Sequence, residues 1–347
     1  MKAVVLRAGG GTELGELDVP EPAAGEILLE LRGCGLCGTD LFKLAHDTAP
    51  PGVVLGHELV GEVVAGGEGA RFAHGERVVV PHHVACGECA LCRRGAQTAC
   101  PVFRQNQLAP GGFAELVLVR RLAAERAARV LPETLPDDAA IFLEPTACVL
   151  RGIDRAALPP HDAGAAVVLG AGSMGLLHLI TLRALRPQIV VGVVDPDAAR
   201  RRLALELGAN AVATPETAAA VFGSELPGDP VLCGGVDAVF DTVGGSSTLE
   251  LGVGLLREGG TLVLFAHAGA GELGRLDLNA LFKSERRIVG TYSGALDEQD
   301  RSFELLVSGR LDPTPLVTHH LPLSRFEEAV ALCRSRRALK VVLGRDR

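Results

Sequence analysis

A chain of 347 residues has room for two domains of ordinary size, each with its own core. Its 48% hydrophobic and 22% charged residues are those of a soluble globular protein, and no run of about 18 apolar residues free of charges or breakers marks a transmembrane helix. A net charge of −8 argues against nucleic acid or an anionic membrane as partner, and with no Trp and one Tyr the core is aliphatic.

The opening "MKAVVLRAGGGTELGEL" has one Lys and a short apolar run, then glycines and acids, with no cleavage site, so it does not read as a signal peptide. The expected location is cytoplasmic, where nine cysteines point to metal binding or reduced thiols rather than disulfides. Residues 1–140 read as β-rich, with short strand-like runs at 3–6, 26–31, 53–64 and 77–81 broken by Gly and Pro. From about 146 apolar strands alternate with helices. "AAVVLG" (165–170) leads into "SMGLLHLITLRAL" (173–185), and "IVVGVVD" (189–195) into "PDAARRRLALELG" (196–208). "VDAVFDTVG" (236–244) leads into "STLELGVGLLREGG" (247–260) and then "TLVLFA" (261–266). This order predicts a parallel sheet with helices on both faces. Beyond 285, "RRIVGTYSG" adds a strand and turn. Residues 324–336 form an amphipathic helix with Ser324 as N-cap and Glu327 three residues on, and "ALKVVLG" is a final strand.

In "VVLGAGSMG" the glycines Gly170, Gly172 and Gly175 form G-x-G-x-x-G after a strand and at the start of a helix, with Ser173 and Met174 between them. Asp195 ends the next strand. That context is what a dinucleotide site requires. Gly170 allows the turn, Gly172 admits the pyrophosphate, and Gly175 lets helix and strand pack closely. The helix N-terminus offers free N–H groups to the anion. Asp195 would accept hydrogen bonds from a ribose 2′-OH and repel a 2′-phosphate, favouring NAD; Arg200 and Arg201 keep NADP as the alternative. A glycine turn without cofactor is the non-functional reading.

"HVACGECALCRRGAQTACP" holds Cys86, Cys89, Cys92 and Cys100, a spacing that can wrap one tetrahedral zinc with no open position, hence a structural site. An iron–sulfur cluster is the alternative, disfavoured by the long fourth interval and the lack of a second cluster motif. A second, scattered set comprises Cys37 in "CGLCGTD", His57 and Glu58 in "GHELVGEV", and Glu144 in "FLEPTACVLRGI". Thiolate, imidazole and carboxylate all bind zinc, and three protein ligands with an open position define a catalytic site. Taken singly, each has a plainer reading: a buried thiol, a strand-edge histidine, an acid at a helix start. Cys148 is a competing ligand, and Cys34, Cys233 and Cys333 read as plain thiols.

These motifs together resemble the zinc-dependent medium-chain dehydrogenases, the alcohol and polyol dehydrogenase superfamily. The resemblance rests on "GLCGTDL", "PGVVLGHELVGEVV", "GERVVV", the four-cysteine lobe, "GGFAELVLV", "EPTACVLRGI", "VVLGAGSMG", "VVD" and "ALKVVL", in the family's order along nearly the whole chain. It implies an α/β protein with a GroES-like β-rich catalytic domain at 1–146 and 285–347, carrying the zinc lobe at about 82–104. A Rossmann doubly wound parallel sheet at 147–284 would bind NAD. It implies two zinc ions per chain, the catalytic one on Cys37, His57 and Glu144, with Glu58 beside the metal or bound to it. Thr39 would hydrogen-bond the substrate oxygen. Glu144-Pro145 is similar to the sorbitol and threonine dehydrogenase branches.

The implied activity is reversible oxidation of an alcohol, a polyol or sugar alcohol, to a ketone or aldehyde, with hydride passing to NAD. The alternatives are an L-threonine 3-dehydrogenase, which needs a basic group for the substrate carboxylate that the sequence does not place, an NADP-dependent alcohol dehydrogenase, or a zinc- and nucleotide-binding protein without turnover. The small-molecule substrate would meet loops at 42–46, 104–107 and 292–294. One departure stands out: many family members carry a relay histidine where this chain has Phe42, with His46 a candidate substitute. A homodimer or homotetramer is expected from the resemblance alone.

Overall fold

The structure, a computed structural model, describes residues 1–160, 164–223 and 234–346, so Cys233 lies outside the described residues. The chain divides into two compact units, Met1–Ala147 with Ser293–Arg347, and Cys148–Tyr292. The strands in chain order are β1 (Lys2–Leu6), β2 (Thr12–Glu16), β3 (Ile27–Gly35), β4 (Glu58–Gly66), β5 (Arg77–Pro81), β6 (Leu108–Ala109), β7 (Leu116–Val119), β8 (Arg129–Val130), β9 (Ala165–Leu169), β10 (Val190–Val194), β11 (Ala211–Ala213), β12 (Val236–Asp241), β13 (Leu256–Leu264), β14 (Arg287–Gly290), β15 (Val317–Pro322) and β16 (Lys340–Gly344).

In the first unit the sheet runs β15-β16-β3-β4-β5-β8, with β7 also on β3 and β6 on β7. Inward residues such as Ile27, Leu29, Leu31, Leu59, Val63 and Phe113 form its core. The register fixes where the functional residues converge. Val342 of β16 faces Gly35 of β3, Gly35 faces Glu58 of β4, and Glu58 faces Pro81 of β5. Thus the end of β3 running into Cys37, the start of β4 preceded by His57, the end of β5 running into His82 and the start of β16 all meet at one end of the sheet.

The second unit is a parallel sheet in the order β11-β10-β9-β12-β13-β14. By position in this unit that is 3-2-1-4-5-6, the Rossmann order, in which ligands bind where the order reverses, beyond the carboxyl ends of the central strands. Every residue of β9 is buried, as a strand covered on both faces requires.

Four sequence expectations shift. The run 53–64 is strand only from Glu58, because Gly56 turns at φ 93° and Val54 makes just an isolated bridge to Val5. The helix expected over 247–260 ends at Leu255 and β13 begins at Leu256; Gly252, Gly254, Gly259 and Gly260 weaken any helical continuation. Ser324 is not an N-cap: a 3₁₀ turn, Leu323–Arg325, precedes the helix Phe326–Arg334. Ser324 instead donates to Asp346, and Glu327 accepts from Thr12 N at 3.1 Å and Thr12 Oγ1 at 2.6 Å. Finally, β14 hydrogen-bonds to β13, so the second unit extends to Tyr292 rather than stopping at 284. Among the described residues no helix is long and apolar enough to cross a membrane.

Candidate active site and metal centres

The four-cysteine lobe is built almost entirely by its own loop. Cys89 caps the short helix Ala90–Arg93, its sulfur accepting from Cys92 N. The Sγ–Sγ distances are 3.5 Å for Cys86–Cys100, 3.5 Å for Cys89–Cys92 and 3.9 Å for Cys86–Cys92. Tetrahedral zinc with Zn–S of about 2.3 Å places its sulfurs about 3.8 Å apart, so the four fit one ion and leave no room for several irons. The backbone N–H groups of Glu88 and Cys89 hold the Cys86 thiol down at about 6, a setting for thiolate, while burial pushes the Cys92 thiol up to about 12. Phe103 and Ala85 pack against the lobe.

The second donor set is assembled from distant segments. Cys37 is the N-cap of the helix Gly38–His46, His57 immediately precedes β4, and Glu58 is its first residue. One ligand atom from each of the three lies within 4.8 Å of the other two. Asp40, fully buried on the first turn of that helix, accepts from Cys37 N at 3.1 Å and Gly56 N at 3.4 Å. His57 Nδ1 lies 3.4 Å from Asp40 Oδ1, which leaves Nε2 as the nitrogen for a metal, the usual carboxylate–histidine support. Burial disfavours charge on His57, yet Asp40 and Cys37 outweigh it and hold the imidazole well above its usual range. Burial likewise pushes the Asp40 carboxyl up, but His57 and the Cys37 N–H bring it below the usual value. These groups favour positive charge among them, as a cation site must.

Glu58 has a further partner. Its two oxygens accept from Lys340 Nζ at 2.7 and 2.6 Å, an ion pair in which both residues are 1% exposed. Gly35 makes this possible: a Cβ there would sit 2.0 Å from Glu58 Oε2. Glu144 lies on the first turn of the helix Leu143–Ala156 and is buried, but it is not part of the 4.8 Å group that the structure brings together. Cys148 is half-buried on the same helix and is likewise outside it. Thr39 follows Cys37 by two residues and is half-buried. Phe42 packs its ring on the exposed His46, centroids 4.4 Å apart.

Two histidines absent from the sequence-level site adjoin it. The His82 ring lies 4.5 Å from that of His57 and 3.7 Å from that of His83, which in turn meets Phe103 at 5.2 Å. His82 Nδ1 is buried without a hydrogen-bond partner among the described residues. Burial holds His82 well below its usual pKa, and holds His83 at about 3, so both are neutral near pH 7. "PHH" directly before the cysteine loop was their only sequence signal. Of the expected substrate loops, Arg104, Gln105 and Asn106 are exposed while Gln107 is buried.

In the second unit Gly170 turns at φ 94° and opens the helix Ser173–Leu185. A Cβ on Gly175 would sit 1.9 Å from Gly170 O, so that position must be glycine for the loop to close on the helix. Ser173 Oγ, on the first residue of that helix, is buried without a partner among the described residues. Asp195 at the end of β10 accepts from Ala171 N at 2.7 Å and Asp197 N at 2.8 Å, which fixes its carboxylate beside the glycine loop. The Arg200 guanidinium lies 3.6 Å from where a Cβ on Gly172 would be, and Arg201 donates to Asp195 O. The loop and its acid fit a dinucleotide.

Residues 23–127 match the alcohol dehydrogenase GroES-like domain, and residues 166–308 match the zinc-binding dehydrogenase domain. The chain is 32% identical to an L-threonine 3-dehydrogenase of Pyrococcus horikoshii, over 97% of this chain and 96% of that one. Among solved structures, the alcohol dehydrogenase TADH of Thermus sp. superposes with a TM-score of 0.87 at 29% identity, covering 100% of both chains. A zinc-binding dehydrogenase of Sinorhizobium meliloti bound to NADP gives 0.86 at 29%, covering 99% of this chain and 98% of that one. The chain belongs to the zinc-dependent medium-chain dehydrogenase family, the NAD(P)-dependent oxidoreductases of the alcohol dehydrogenase type.

Proposed function

We propose that the protein reversibly oxidises a polyol or sugar alcohol to a ketone or aldehyde with NAD. The observation that carries this reading is the sulfur, imidazole and carboxyl gathered by Cys37, His57 and Glu58, with His57 held in surroundings that favour positive charge. Cys37 and His57 would hold a catalytic zinc, with Glu144 the candidate third ligand, and Cys86, Cys89, Cys92 and Cys100 a structural one. A bound zinc supplies Lewis acidity that makes a hydroxyl more acidic, and the dinucleotide accepts the hydride. Thr39 hydrogen-bonds the substrate oxygen, accepting its proton while its own hydroxyl proton passes on towards solvent. Asp40 keeps His57 in the tautomer with Nε2 free, and Phe42, its ring against His46, stands where a relay histidine is expected. His82 and His83, neutral and able both to donate and accept, suit further hydroxyls better than a carboxylate.

Asp195 supports NAD over NADP, since its carboxylate would meet the ribose 2′-OH and repel a 2′-phosphate. Arg200 beside Gly172 and the NADP-bound relative support the opposite choice. L-threonine oxidation is the second substrate reading, favoured by the Pyrococcus relative. A homodimer or homotetramer is supported by the exposed Leu273, Leu278 and Phe282. The test is a reduction screen over sugar alcohols, diols, simple alcohols and L-threonine, with NAD and again with NADP. The highest kcat/KM should fall on a sugar alcohol with NAD; L-threonine in first place overturns the polyol reading, and NADP in first place the role of Asp195.

A further inference from the structure

We propose that Lys340 is a positioning residue for the Cys37–His57–Glu58 site, drawing the Glu58 carboxylate out of the donor set so that Glu58 is a held neighbour of the metal and not a standing ligand. This rests on the reading of that group as a metal site. Both Glu58 oxygens are taken by one ammonium, at 2.7 and 2.6 Å, and both side chains are buried. Lys340 donates also to Leu36 O at 3.4 Å and lies 5.5 Å from the centroid of the Phe142 ring, so its position is fixed on several sides. Its place at the first residue of β16 is set by the sheet register, through the pairing of β16 with β3. The carboxylate occupies the space that a side chain at Gly35 would fill.

The alternative arrangement is close at hand, because a Glu58 oxygen lies within 4.8 Å of both the Cys37 sulfur and a His57 nitrogen. Asp40 is already committed to His57, Cys37 and Gly56. A second buried carboxylate with no cation of its own would therefore turn to the metal. Lys340 prevents this and keeps a coordination position open for substrate.

The test uses full-length protein with cobalt(II) replacing zinc at this site, read by its visible absorption, together with zinc retention against a chelator. In Lys340→Met the released carboxylate should join the metal. The cobalt bands should weaken as a ligand is added, zinc retention should rise about tenfold or more, and kcat should fall. Lys340→Arg should restore the wild-type spectrum, as should Lys340→Met combined with Glu58→Gln. Glu58→Gln alone, which keeps the lysine, should leave the spectrum unchanged. An unchanged spectrum and zinc retention in folded Lys340→Met overturns the proposal. Should that variant not fold, a changed spectrum in Glu58→Gln overturns it instead. Wild-type protein holding one zinc rather than two removes the metal site itself, and the proposal with it, before any variant is compared.

Discussion

The loop from Cys86 to Cys100 and the Cys37–His57–Glu58 group belong to one unit but are held in place by different means. In the loop, neighbours in sequence are neighbours in space, and backbone N–H groups at 3.4 to 3.5 Å from the sulfurs belong to the same loop. Phe103, Ala85 and Val102 pack against it, and Leu296 N donates to Gln97 Oε1 within it at 3.0 Å. The other group takes its atoms from a helix cap and a strand start, aligned by the register of β16, β3, β4 and β5. Asp40, Lys340 and Gly35 then fix its side chains. A loop that supplies its own ligands depends on the ion for its shape. A group placed by a sheet keeps its frame with or without an ion.

The sharpest break between the two comes from removing one ligand of each. Cys37→Ala should lower kcat/KM by about a thousandfold or more, about 4 kcal/mol of transition-state stabilisation. Zinc content should fall from two to one per chain while the melting temperature barely moves. Cys100→Ser should also lose one zinc, but here the cost appears as stability, at least about 3 kcal/mol in denaturant unfolding. Loss of both zinc ions in Cys37→Ala, or an unchanged melting temperature in Cys100→Ser, would erase the distinction.

The same contrast explains what the sequence makes legible. Cysteine spacing is local, so the lobe can be read from its loop, and so can the glycine turn with Asp195 one strand later. The alternation of apolar strands and helices identifies the parallel sheet, because strands such as β9 are buried on both faces. The other donor set is only half legible. His57 and Glu58 stand out as ionisable residues in an apolar run, and Lys340 in "ALKVVLG" carries the same signal. Nothing local says that Lys340 meets Glu58 across 282 residues of chain. Asp40 in "CGTD" is in reach of sequence logic as an acid on a first helical turn, yet its role depends on the approach of His57. Glu144 shows the reverse: its motif draws attention, while its place outside the 4.8 Å group is decided by tertiary structure. The missing cap at Ser324 and the early start of β13 follow from partners far along the chain, Asp346 and the neighbouring strand β12.

Gly35→Ala probes the sheet-built group without touching a ligand. The added methyl must displace the Glu58 carboxylate, which sits 2.0 Å from the Cβ position. Overpacking of this kind costs about 1–3 kcal/mol, read as a lower unfolding midpoint. Zinc in the cysteine lobe should be unaffected, since the three atoms nearest the added methyl all belong to Glu58. A variant as stable as wild type would mean that Glu58 has somewhere else to go at no cost, and that the sheet does not fix it.

Asp40→Asn is the mildest change and the most informative about how the group is held. The amide has nearly the shape of the carboxylate, and its oxygen can still accept from either Cys37 N or Gly56 N. It loses the charge, and its NH₂ offers donors to a pocket in which Cys37 N and Gly56 N already donate. His57 then loses the partner that orients Nδ1 and the negative charge that favours a cation beside it. Outer partners of this type are worth about tenfold to a hundredfold in metal affinity, about 1.4 to 2.7 kcal/mol. Zinc at the Cys37–His57 site should weaken by that factor in a chelator competition, while the four-cysteine zinc remains. Equal weakening at both sites would mean that Asp40 supports the fold of the whole unit, and unchanged affinity would mean that β4 alone orients His57. The expected outcome lies between these, because Asp40 joins the helix cap at Cys37 to the turn at Gly56 and so holds the two ends from which the ligands come.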